Sequence, residues 1–255
     1  MTHISRRNLF RTGLGVAGTL ITQKALGQTC SNSQTAEQPL GPFFPREGTP
    51  SHPVKEIKDN NIPIYLANDN DLTYVQDLNE HAEGQVSHIK GQLTDGLCNP
   101  LPHATVIIWQ ASHTGRYNHM GDSENSSFKH PLTGKTIHRV LDKNFQYWGK
   151  TRSDENGNYN FKTIVPGFYP ADLSSQWYRP PHIHFLVMAT GFENFVTQMY
   201  FNSPHIKDNE FIQQLNSRDL LLQNPNMSEN EKEALVVNFH KENEELHGKF
   251  NIQIK

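Results

Sequence analysis

His182 and His184 stand two residues apart in the segment Trp177-Tyr178-Arg179-Pro180-Pro181-His182-Ile183-His184-Phe185. Along a β-strand successive side chains alternate faces, so the two imidazoles would point the same way, about 6.6–7 Å apart along the chain. Two nitrogen donors on one face suit a shared metal ion. Ile183 and Phe185 would fill the opposite, apolar face. Pro180 and Pro181 have no N–H to donate, so the strand is expected to begin at or just after them. The spacing is weak on its own. The chain holds 14 histidines in 255 residues, and chance alone would give roughly 0.8 His-x-His pairs. A metal centre needs further donors from elsewhere in the chain.

The elements that must position those donors are strands. A length of 255 residues can bury a sizeable core as one large β domain. Val86 to Leu93 reads as a strand ended by the turn pair Asp95-Gly96. Ala104 to Ala111 is β-branched and apolar on both faces, which predicts a buried strand. Gly149–Arg152 and Tyr159–Ile164 read as a hairpin around Asp154-Glu155-Asn156-Gly157. Asn194 to Phe201 is a further strand and carries Gln198. Asp208 to Leu215 reads as a short helix, and Ser228 with Glu231 as a capping box. Leu235–Phe239 and Phe250–Ile254 suggest a closing hairpin, with a helix through 229–246 as the competing reading. The expectation is an all-β sandwich of mainly antiparallel sheets with long loops.

Charge and hydropathy exclude other classes. The formal net charge is −3 with no basic stripe, which argues against nucleic acid. No apolar run approaches the roughly 20 residues of a membrane span. Residues 1–27 resemble a twin-arginine export signal: Arg6-Arg7, a glycine-diluted apolar stretch from Thr12 to Ile21, then Lys24 and Ala25-Leu26-Gly27. That places the mature protein in the periplasm or outside the cell. In such a compartment Cys30 and Cys98, the only cysteines, could pair or stay free. Residues 28–84 read as an N-terminal arm packed on the body, with Gly41-Pro42-Phe43-Phe44-Pro45 as its aromatic part. Within the arm, 62–66 and 72–78 read as simple surface packing. Residues 85–255 form the β body.

Six segments together resemble the intradiol ring-cleavage dioxygenases, and among them the protocatechuate 3,4-dioxygenase-like branch. They are Gly41-Pro-Phe-Phe-Pro45, Leu101-Pro-x-Ala-x-Val-x-Ile-Trp-Gln-Ala111, Gly115-Arg-Tyr-x-His119, Pro166-Gly-x-Tyr-Pro170, Arg179-Pro-x-His-Ile-His-Phe185 and Thr197-Gln-x-Tyr-Phe201. Each is weak alone, and six in order are specific. The resemblance implies one non-haem Fe(III) per chain, held by Tyr117, Tyr169, His182 and His184. It further implies a catechol-type substrate and O2, with the ring opened between its two hydroxyl-bearing carbons to a muconate-type diacid. It gives Tyr169 a second duty as acceptor of a substrate proton. It places Arg179 beside the iron, where a fixed charge could stabilise anionic ring character, and Gln198 near the oxygen and substrate pocket. His119 and Trp177 would support the pocket.

The donor chemistry agrees with that implication. A phenol with a pKa of about 10 is neutral near pH 7, but a trivalent ion inverts the preference and holds the phenolate. Hard anionic oxygen suits Fe(III). One departure stands out: protocatechuate enzymes carry an aromatic two residues after the Tyr169 position, and here Ala171 leaves a roomier pocket. A homo-oligomer is left open. Two other readings also stay open: a non-catalytic catechol- or metal-binding sandwich, and a structural zinc or copper protein using the two histidines.

Overall fold

The computed structural model describes residues 34–44, 69–75, 80–122 and 127–255, all within the unit Ser31–Lys255. The export segment, the 62–66 piece and Cys30, with its pairing to Cys98, lie outside the described residues. In chain order the strands are β1 (Val86–Thr94), β2 (Thr105–Trp109), β3 (Ser127–Lys129), β4 (Thr136–His138), β5 (Trp148–Arg152), β6 (Asn158–Ile164) and β7 (Tyr169–Asp172). They continue with β8 (Trp177–Arg179), β9 (His182–Met188), β10 (Phe195–Asn202), β11 (Val236–Asn238), β12 (His240–Glu242), β13 (Glu245–Lys249) and β14 (Ile252–Gln253). Two short helices, α1 (Asn209–Asn216) and α2 (Glu229–Leu235), lie between β10 and β11.

One sheet runs β11-β10-β9-β2-β5, antiparallel except where β11 joins β10. The other centres on β1, with antiparallel β6 on one side and parallel β13 and β14 on the other; β12 forms the edge beyond β13. The alternating burial of β1 and β6 turns Ile89, Leu93, Tyr159 and Phe161 inward. From the facing sheet, β9 is buried along nearly its whole length, and Phe185 meets Tyr159, Phe161 and Phe250 with ring centroids 6.1, 6.5 and 5.1 Å apart. Burying a ring of this kind stabilises by about 1.5–3 kcal/mol relative to exposure. The result is an all-β sandwich, as the alternation of the sequence predicts.

Three local expectations change. The turn at Asp154–Gly157 forms: Gly157 N–H donates to Asp154 O at 2.9 Å. It does not close a hairpin, because β5 joins β2 in one sheet and β6 joins β1 in the other. The closing hairpin also differs. Val237 and Ile252 belong to strands parallel to β10 and β1, and the hairpin that does form is β12 with β13. Finally, Leu72 is core, not surface: it is fully buried, and its N–H donates to Lys162 O at 2.8 Å.

The helix signals hold. Asp208 precedes α1, and α2 starts with a complete capping box in which Glu231 N–H donates to Ser228 Oγ and Ser228 N–H to Glu231 Oε2. Ser228→Ala leaves the Glu231 amide without its acceptor and removes the Ser228 hydroxyl that donates to Glu231 Oε2. We expect a loss of about 1 kcal/mol in denaturant unfolding and no change in the site described next.

Candidate metal centre

Four polar atoms from three segments converge. β9 starts immediately after Pro181, and its pleat turns His182 and His184 to one side. Tyr169 opens β7, and Tyr117 lies on the loop after β2. The Tyr117 hydroxyl is 3.4 Å from His182 Nε2 and 3.2 Å from His184 Nε2; the Tyr169 hydroxyl is 3.5 Å from His182 Nε2. All four residues are at most 5% exposed. The sequence-predicted donors thus meet around one point.

The surrounding chain fixes each donor. His182 Nδ1 is 2.6 Å from Pro180 O, and a carbonyl only accepts, so Nδ1 carries the proton and Nε2 presents its lone pair to the phenols. His184 stacks on Trp109 with ring centroids 4.8 Å apart, while its Nδ1 has no partner among the described residues. Tyr117 is held through its backbone: its N–H donates to Asp122 Oδ2 at 2.8 Å. Asp122 in turn pairs with buried Arg139 at 2.6 Å, and Arg139 also donates to Gly115 O. Gly115 sits at φ +81°, and a Cβ there would lie 2.3 Å from Phe168 O, so the turn that delivers Tyr117 needs a glycine.

The arm closes the cluster. Phe43 lies 4.6 Å from the Tyr117 ring and 6.2 Å from the Tyr169 ring, and Phe44 packs edge-on to Trp109. Gly41, at φ +76°, passes so near that a Cβ would stand 3.2 Å from His184 Cε1. Gly41→Ala should cost about 1–2 kcal/mol from the left-handed backbone alone and push on His184. Thermal melting together with the visible spectrum of the iron-loaded protein checks both effects.

Arg179 stands behind the donors in a second buried network. Its Nε donates to Asp219 Oδ2 at 2.7 Å, and one terminal nitrogen reaches Gln198 Oε1 at 2.6 Å and the Tyr200 hydroxyl at 3.1 Å. Trp177 lies against the guanidinium at 5.9 Å and donates to Asp219 Oδ2 at 3.4 Å. Both ends of the Gln198 amide are engaged, since its Nε2 donates to Pro39 O at 2.9 Å. Gln198 therefore ties the arm to Arg179. His119 is buried and lies edge-on to Phe43 at 5.5 Å.

Asp219, Asp122, Arg139 and Tyr200 were not singled out by the sequence. Tyr200 lies inside a motif segment, and only its position there hinted at a role. Nothing near Asp219 in the chain separates it from a surface aspartate.

The electrostatics match the donor set. Burial pushes the pKa of both phenols up, reinforced at Tyr117 by Tyr169 and opposed at both by Arg179. Burial, then the Arg179 charge, pulls both imidazoles well down. Alone, the cluster is two neutral imidazoles and two protonated phenols, with no carboxylate among them. A highly charged, oxygen-preferring cation would displace the phenol protons and neutralise the oxygens. The residues present fit Fe(III).

A family model described as Dioxygenase matches residues 61–241. The protocatechuate 3,4-dioxygenase beta chain of Burkholderia cepacia is 34% identical over 159 residues, 60% of this chain and 62% of that protein. Catechol 1,2-dioxygenase 2 of Acinetobacter lwoffii is 27% identical over 49% of this chain and 43% of its own length. The chain thus spans less than two thirds of the curated relatives it matches. In fold, the intradiol ring-cleavage dioxygenase structure from Tetranychus urticae superposes with a TM-score of 0.56 at 22% identity, covering 87% of this chain and 94% of that one. The match runs through the segments that carry Tyr117, Tyr169, His182 and His184 and well over half the sequence, and on it the chain belongs to the intradiol ring-cleavage dioxygenase family.

Proposed function

We propose that this chain is a non-haem Fe(III) intradiol dioxygenase that opens a catechol-type ring between its two hydroxyl-bearing carbons. Both atoms of O2 enter the product, a muconate-type diacid. The carrying observation is the buried convergence of two phenols and two imidazoles within 3.2–3.5 Å contacts. Tyr117, Tyr169, His182 and His184 would hold the ion. When bound, Fe(III) would supply Lewis acidity toward the diol oxygens and an electron-withdrawing centre for the ring.

The chain's own residues handle protons, charge and water. Tyr169 Oη would take up one proton from the incoming diol, giving the neutral phenol that its burial favours. Arg179, immobilised by Asp219, holds a fixed positive charge beside the ring as anionic character develops. Phe43, Phe44 and Trp109 wall off water, which strengthens every charge interaction inside. Gln198 positions Arg179 and the arm; it is not itself a reacting group. Relatives named for protocatechuate and for catechol share the adjacent pair of ring hydroxyls, so the ortho-diol is the proposed substrate class. Ala171, exposed on β7, leaves room for a ring substituent. The Arg6-Arg7 segment supports export before function.

Oxygen uptake by iron-loaded protein across a panel of substituted catechols tests the proposal. A red-brown protein that consumes O2 with at least one of them is expected. A catechol-induced colour shift without O2 uptake would make it a binding module, and a colourless, inert iron-loaded protein would overturn the reading altogether.

A further inference from the structure

The solvent face of the other sheet carries a second cluster of metal-ligating side chains. Across three neighbouring strands, one row reads His240 on β12, His247 on β13 and His88 on β1, each directly opposite the next in the pairing register. One step along, Glu245 on β13 faces Glu242 on β12. The two-residue pleat puts Glu245 and His247 on the same face, and Glu242 and His240 likewise. His88, Glu245 and His247 offer ligand atoms that all lie within 4.8 Å of one another. A tetrahedral site with bonds of about 2.0 Å has edges of roughly 3.3 Å, so side-chain rotation alone closes the gap.

We propose that His88, Glu245 and His247 form a surface site for a divalent transition-metal ion of the zinc type, with His240 as a further ligand.

Three observations carry it. First, His88 Nε2 and Glu245 Oε2 already converge at 2.6 Å, where one shared proton stands in the place of a cation. Second, the His88 and His247 rings stack at 4.5 Å with 4° between planes, and His240 lies 5.8 Å from His247. The three imidazoles thus stand side by side on adjacent strands, with nitrogen donors on one face. Third, the ligand set is chemically selective. Two or three imidazoles with one carboxylate suit Zn(II) or Cu(II), whereas Mg(II) and Ca(II) prefer all-oxygen shells. The site lies at the rim, with the His88 and Glu245 side chains 25% and 38% exposed, so an ion can enter without any opening of the fold. Glu242 and Glu245 stand near Lys90 and Lys162, the latter also 3.8 Å from a further carboxylate, Asp71. An ion bound here would tie the edge hairpin β12–β13 to β1 at the centre of its sheet.

The test titrates Zn(II) into the iron-loaded full chain, with metal analysis after equilibrium dialysis and thermal melting in parallel. Filling the iron site first keeps zinc out of it and makes the two sites independent. One zinc per chain beyond iron is expected, with a raised melting temperature. His88→Ala/His247→Ala should weaken zinc binding by roughly 100-fold or more, beyond the cost of losing an outer-shell partner, and leave the iron colour unchanged. Glu245→Gln, nearly isosteric, should weaken it in the same direction and guards against misfolding of the double variant. Binding should weaken in acid, because protons compete with the ion for imidazole and carboxylate ligands. Zinc bound equally by wild type and both variants, or no saturable zinc beyond iron, overturns the proposal.

Discussion

Tyr117→Phe and His184→Ala, each prepared with iron under the conditions that colour the wild type, are expected to lose the visible band and the ring-opening activity together. The Tyr117 hydroxyl is the one donor in contact with both imidazoles, at 3.4 and 3.2 Å. Its removal leaves a phenyl ring that still fits against Phe43, so the fold should persist while an anionic ligand is lost. His184→Ala removes a ring packed between Trp109 and the arm at Gly41, and adds a cavity to the missing donor. Loss of an outer-shell partner typically costs roughly 10–100-fold in metal affinity or activity, and loss of a ligand itself should exceed that. Tyr169→Phe separates the two duties given to that residue. Tyr117 alone can still supply a charge-transfer band, so a shifted colour should survive, while turnover falls because the proton acceptor is gone. Metal analysis, the visible spectrum and oxygen uptake on the same samples decide it. Undiminished colour and turnover in Tyr117→Phe would remove Tyr117 from the centre.

The strands that carry the donors were legible because their chemistry is local. β9 is announced by Pro180-Pro181, and after the two histidines it continues through the apolar run Phe185 to Met188. β2 sits between β9 and β5 in its sheet and buries Val106 and Ile108 fully, while Thr105 and Ile107 on its other face are half-buried. Pairing partners were less legible. The turn at Asp154–Gly157 states that the chain reverses, but not that β5 and β6 leave it for different sheets; that choice rests on which buried faces meet across the core. The same holds for β11 and β14, where parallel pairing to strands far back in sequence outweighs the local hairpin pattern. The meeting of Tyr117, Tyr169, His182 and His184 could be read because each sits in a recognisable short segment. The groups that hold it could not. Asp122 and Arg139 are 17 residues apart, Arg179 and Asp219 are 40, and a buried aspartate looks like a surface one until its partner is known.

Asp219→Ala should produce the largest loss of stability outside the hydrophobic core. The Arg179 and Asp219 side chains are 6% and 0% exposed, and their contact is 2.7 Å. Asp219 also accepts from Leu221 and Leu222 N–H and from the Tyr200 hydroxyl, so its carboxylate organises the segment after α1 as well as the guanidinium. Removing one partner of a buried pair strands the other charge, at a cost of about 3–5 kcal/mol. For a domain of this size that corresponds to a fall in melting temperature on the order of 10 °C. Burial opposes the Arg179 charge, and its acidic and phenolic neighbours outweigh that, so the guanidinium stays protonated and cannot relieve the penalty by neutralising. The double variant Arg179→Met/Asp219→Leu tests the cause. If uncompensated charge is what destabilises, the double variant should be more stable than Asp219→Ala despite having lost more hydrogen bonds. Its turnover should stay low, because the fixed charge beside the ring is gone, while its iron content and colour stay near wild type. A double variant that regains both stability and turnover would show that Arg179 serves the fold alone, and the anionic ring would then need another source of stabilisation.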